Sequence, residues 1–102
     1  MYFSEEDRKA MQPLVHLIHS YPESHFRITM KDGAQLLCSY DTMYETENEM
    51  DDEDSAYEEF HACLFKIERV LFCKPECQGK YTEKSYLEVT YHNFPSEIIP
   101  IP

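Results

Sequence analysis

The sequence predicts an α+β, mainly β fold. An N-terminal helix leads into a strongly bent five-stranded antiparallel sheet or a small barrel. Three observations carry this. A helical apolar period holds only near the N-terminus. From residue 26 the period drops to two. Turn-forming residues separate the alternating runs. An open α+β sheet is the alternative to the barrel. At 102 residues, one domain is the natural reading: a helical cap over 1–22, a sheet over 25–91 and an extended tail over 92–102.

The helix start is Ser4 followed by Glu5, Glu6 and Asp7. A serine hydroxyl satisfies orphan amides at a helix N-terminus, and acids complement the positive end of the dipole. Ala10, Met11, Leu14, Val15, Ile18 and Tyr21 form one apolar stripe. Pro13 lies inside it and is expected to kink or split the helix. Pro22 ends it.

Phe26, Ile28 and Met30 alternate with Arg27, Thr29 and Lys31, as in a strand with one buried face. Asp32-Gly33 then signals a hairpin, because glycine accepts positive φ without strain. Leu36, Cys38 and Tyr40 share one face of the return strand. Phe60 to Phe72 reads as one or two strands, with His61, Cys63, Phe65 and Ile67 on one face. Apolar residues on both of its faces predict a central strand covered on both sides, and Glu68-Arg69 marks a bend. Cys73 to Lys80 is a turn by composition, and Tyr86 to Tyr91 is the last clear strand. The tail carries Pro95, Pro100 and Pro102 beside Ile98, Ile99 and Ile101, which predicts an extended segment or a sheet edge.

The charge is sharply localised. Residues 1–44 hold six acids and four bases; residues 60–102 hold five of each. Residues 45–59 hold nine acids and no base, so this segment carries most of the net −11. Self-repulsion predicts an extended, mobile loop there. A nucleic-acid mimic spreads its acids over a face; here they crowd into one segment. With only Gly33 and Gly79, a glycine-rich phosphate cradle is excluded. The N-terminus is acidic and no apolar run approaches the roughly 20 residues of a membrane span, which predicts a cytoplasmic protein with reduced thiols.

Residues 26–41, with Phe26-x-Ile28-x-Met30-x-x-Gly33-x-x-Leu36 after a helix, resemble the first motif of the Sm-like (SH3-type) small β-barrels. The chain is also similar in general shape to small bacterial proteins. The resemblance implies a barrel and an oligomeric scaffold with an RNA-related role. Cys38 stands where that family has a second glycine, and Asp41 and Asn48 are wrongly spaced for its polar pair, so no RNA-binding residue is carried over.

Cys73 and Cys77, with His61 and Cys63 as a second pair, are the candidate zinc ligands; a zinc-stabilised domain is a further alternative. His16 and His19 share a helix face at a spacing that suits a metal. Glu47, Glu49, Asp51, Glu53 and Glu58 alternate as calcium ligands do, but Asp52 replaces the required loop glycine. Cys63 beside His61 is the one candidate nucleophile. Acids in a solvated loop lack the desolvation that raises a catalytic pKa, so no enzyme and no cofactor are expected.

The expectation is a non-enzymatic interaction or regulatory module that docks a partner with a basic surface. The partner-binding residues are Tyr44, Glu47, Glu49, Asp51, Asp52, Glu53, Asp54 and Tyr57. Tyr44, Met50, Tyr57 and Phe60 interleave apolar anchors with the charge. A homo-oligomer is the other assembly to consider. Nucleic-acid binding by a monomer is disfavoured, because the nine bases are scattered.

Overall fold

The computed structural model describes residues 4–48, 50, 53 and 55–102. One helix, α1 (Glu5–Ser20), precedes five strands: β1 (His25–Thr29), β2 (Gln35–Glu47), β3 (Glu59–Phe72), β4 (Tyr86–Val89) and β5 (Glu97–Ile101). A single 3-10 turn, Pro75–Cys77, lies between β3 and β4.

Ser4 caps α1: its Oγ accepts from the Asp7 amide at 3.1 Å. Met11, Leu14 and Ile18 form the buried face. Tyr21, expected on that face, falls just past the helix and is exposed. The helix runs through Pro13 as one element, which corrects the expected split. Proline removes one i→i−4 bond, but its ring is exposed while residues on both sides of it are buried in the core. That shared burial keeps the two halves in one continuous helix.

The sheet order is β4-β3-β2-β1-β5, and every neighbouring pair is antiparallel. The sheet is open, with edges at β4 and β5. This corrects the expected barrel, and the Sm-like architecture is not what the chain adopts. A barrel would need the last strand to close on β4. Instead β5 pairs with β1, Ile98 opposite Ile28 and Pro100 opposite Phe26. Pro100, without an N–H, is tolerated because β5 has solvent on its other side.

Phe26, Ile28, Leu36, Cys38, Cys63, Phe65 and Ile67 bury one sheet face with the helix stripe. Phe26 and Tyr40 set their rings edge-on to Phe65, with centroids 6.0 and 6.4 Å away. The other face of β3 is fully covered only at its start, at Phe60 and Ala62, not along its length as expected. The register shifts between Leu37 and Cys38, which leaves Glu68 unpaired at the expected bend.

The β1–β2 turn forms as read. Gly33 takes φ 92°, and Asp32 Oδ1 accepts from the Ala34 amide at 3.0 Å. Asp32 Oδ2 accepts from Lys80 Nζ and from the Tyr81 hydroxyl, each at 3.0 Å. The Ala34 amide, then Lys80 and Tyr81, hold the Asp32 carboxyl below its ordinary pKa. A depressed carboxyl stabilises the fold above its unfolded pKa, and the contribution is lost as pH falls through the folded value. Asp32→Ala is expected to cost about 0.5–1.5 kcal/mol at neutral pH. Its stability should also decline less steeply than the parent's below about pH 4. Parallel acid limbs in urea titrations would contradict this.

Candidate functional site

β2 and β3 outrun their neighbours. β1 pairs only with Gln35–Ser39 of β2, and β4 only with Cys63–Lys66 of β3. Tyr44–Glu47 and Glu59–Ala62 therefore pair only with each other and make a two-stranded arm past the main sheet. Four residues of strand give it a reach of about 13 Å. The acidic segment expected to be one loop is thus partly strand: Glu45 and Glu47 belong to β2, and Glu59 to β3.

The arm is pinned at several points. At its far end Asn48 Nδ2 donates to the Ala56 carbonyl at 2.7 Å, while its Oδ1 accepts from the Glu58 amide at 3.3 Å. At its base the Tyr44 hydroxyl donates to Glu88 on β4. Burial, then that carboxylate, push the Tyr44 hydroxyl up to about 12. Glu58 holds the Tyr91 hydroxyl and His92 Nε2 from the turn after β4. The Phe60 ring meets His92 edge-on, with centroids 4.8 Å apart. On the helix side, fully buried Asp7 accepts from the His61 amide at 3.0 Å and from His61 Nδ1 at 2.7 Å.

The acids on the arm are held against their own repulsion. Glu47 lies directly opposite Glu59, and Glu45 opposite His61. Glu45, Thr46, Glu47 and Glu59 line one shallow recess. Like charges opposite each other destabilise a strand pair. The Tyr57 hydroxyl offsets this by reaching both carboxylates, 2.8 Å from Glu47 and 3.0 Å from Glu59. The two acids push its pKa well above the ordinary phenol value. Among the described residues, no Lys or Arg forms an ion pair with Glu45, Glu47 or Glu59.

Of the residues read as partner-binding, Tyr44, Glu47 and Tyr57 meet on or beside this arm, and Glu53 is exposed at its tip. Glu49, Asp51, Asp52 and Asp54 lie outside the described residues, and with them two of the five alternating acids of the calcium pattern, Glu49 and Asp51. The sequence reading missed Asp7, His61, Glu58, Tyr91 and His92 as supports of the arm. An acid in a first helical turn and a histidine after a strand carry no local mark of such contacts.

The zinc reading is not assembled. His61 and Cys63 sit near one end of β3, and Cys73 and Cys77 follow its other end. About nine strand residues, or about 30 Å, separate them. Among the described residues no three His, Cys, Asp or Glu side chains cluster as metal ligands would. His16 and His19 are exposed on α1.

Cys63 is not placed to act as a nucleophile. Burial pushes its thiol up to about 12, and the same cause, then Glu68, acts on Cys38. A thiol must ionise to attack. In the native protein a maleimide is expected to modify Cys73, while Cys38 and Cys63 react only after unfolding. Fast native labelling of Cys63 in a peptide-mass experiment would restore it as a candidate.

Fold and arm together define a class: a small helix-on-sheet protein that presents Glu45, Glu47 and Glu59 on a hairpin arm. The chain belongs to the cognate immunity protein YxxD family, whose model matches residues 9–100. No Tyr-x-x-Asp tetrapeptide occurs in it; Tyr44-Glu45-Thr46-Glu47 on the arm has that spacing with Glu as the acid. No curated protein and no solved structure matches the chain. Among the described residues no helix is long and apolar enough to cross a membrane.

Proposed function

We propose that this chain is an immunity protein in the literal sense: it binds a protein toxin directly and blocks it, without chemistry of its own. The observation that carries the reading is the confinement of nine acids and no base to residues 45–59, with Glu45, Glu47 and Glu59 paired on the β2–β3 arm, in a chain of an immunity family. The contact surface is Glu45, Glu47 and Glu59 together with the acids of residues 49–54. The toxin face it meets is basic. Aligned opposite charges speed encounter and reject wrong partners. The short β2–β3 pairing and its Tyr57 bridge give the arm its shape before the toxin arrives, which lowers the ordering cost of binding. Tyr44 acts from beneath, fixing the arm on β4, and the tip supplies the direct contacts. The chain acts in the cytoplasm, where the buried Cys38 and Cys63 stay reduced.

The experiment is affinity capture from source cells with the intact chain as bait. The captured protein is identified by mass spectrometry and then expressed alone in susceptible cells. The reading requires that expression halts growth and that co-expression of this chain restores it. A captured protein that is harmless alone, or harmful with and without the chain, contradicts it.

A further inference from the structure

We propose that Cys73 and Cys77 are a redox-active pair that closes to an intrachain disulfide by exchange with a low-molecular-weight disulfide. Cys73 leaves the end of β3, and the Pro75–Cys77 turn brings the chain back on itself. The Cys77 amide donates to the Lys74 carbonyl at 3.0 Å. Both thiols point at that same oxygen, Cys73 Sγ at 3.4 Å and Cys77 Sγ at 3.3 Å. The two sulfurs thus converge on one atom across a single turn. Their exposures differ in a useful way. Cys73 is half-buried, whereas Cys77 is 6% exposed and faces the core. Cys38 and Cys63 are fully buried, on β2 and in the first half of β3.

The Cys73 thiolate attacks one sulfur of oxidised glutathione, forming a mixed disulfide and releasing one glutathione thiolate. The Cys77 thiol gives up its proton to solvent, attacks Cys73 Sγ and displaces the second glutathione. Two protein thiols are oxidised, and the one disulfide of the oxidant is reduced to two thiols. The Cys77 thiol beside Cys73, and burial, raise the Cys73 pKa to about 11. The first step is therefore slow at neutral pH and quickens about tenfold per pH unit below that value, because the thiolate is the attacking species.

Closure has a structural consequence at the far end of the molecule from the arm. Lys74 lies between the two sulfurs in sequence, and its side chain packs beside Gly33, whose added Cβ would sit 3.3 Å from Lys74 Cε. The bond fixes this turn against the Asp32-Gly33 hairpin. The inference does not depend on the toxin reading, since the pair is remote from the arm.

The test treats the native chain with excess oxidised glutathione at pH 8.5, then alkylates and measures intact and peptide masses. The expected product has lost the two thiol hydrogens and takes up no alkylating agent at Cys73 or Cys77. Cys77→Ser is expected to stop at a glutathione adduct on Cys73. Phenylarsine oxide, which requires two neighbouring thiols, is expected to bind the parent and neither single serine variant. A parent chain that keeps a stable glutathione adduct at Cys73 overturns the proposal. So do unreacted thiols at both positions, or disulfide-linked dimers through Cys73.

Discussion

Asp7→Ala is expected to destabilise the protein by about 2–4 kcal/mol, the cost of leaving two half-buried donors of His61 without their buried acceptor. The carboxylate is fully buried and receives both the amide and the ring nitrogen of His61, so one residue joins the first turn of α1 to the start of β3. A loss of that size in a chain this short lowers Tm by about 10–25 °C. Asp7→Asn keeps one oxygen for the His61 amide and is expected to lose roughly half as much. Glu6→Ala, one residue earlier and exposed, is the matched control and is expected to change stability by less than about 0.5 kcal/mol. Thermal unfolding of the three variants decides this. An Asp7→Ala transition within a few degrees of the parent would show that the contact holds nothing.

Replacing Glu45, Glu47, Glu59, Asp51, Asp52, Glu53 and Asp54 by their amides is expected to lower the association rate for the toxin by about 10–10³-fold. The loss falls chiefly on encounter, because exposed charges act through steering more than through the final contacts. Stability should be held or raised, since the substitution removes the repulsion of Glu47 against Glu59. The parent's association rate should fall steeply between low salt and physiological salt, where the Debye length shortens to about 8 Å. The amide variant should be nearly indifferent to salt. Stopped-flow or surface-binding rates at several salt concentrations make the comparison. A variant that binds at the parent's rate would remove the arm from the interface.

The helix and the first hairpin were legible because their signals are local. Ser4 with the acids after it, the spacing of Met11, Leu14 and Ile18, and Asp32-Gly33 each act within a few residues. The ends of the acidic segment were not legible. Repulsion among acids suggested that pairing stops at Glu45. Yet Thr46 opposite Phe60 and Tyr44 opposite Ala62 are neutral pairs, and the Tyr57 hydroxyl screens Glu47 from Glu59. Those terms extend the strands by several residues. The open sheet was beyond local reading as well. Which strand takes the C-terminal isoleucines is a choice between β1 and β4, far apart in sequence, and no turn residue decides it. Asp7 shows the limit most plainly. Its place in the first turn already accounted for an acid there, so nothing remained to mark its burial against β3.

The most direct test of the account titrates the toxin's own activity with the purified chain. Activity is expected to fall in proportion to added chain and vanish at stoichiometric equivalence, and the toxin's mass should be unchanged when the complex is separated. Inhibition by a small fraction of an equivalent, a covalently altered toxin, or full activity in the presence of excess chain would contradict it.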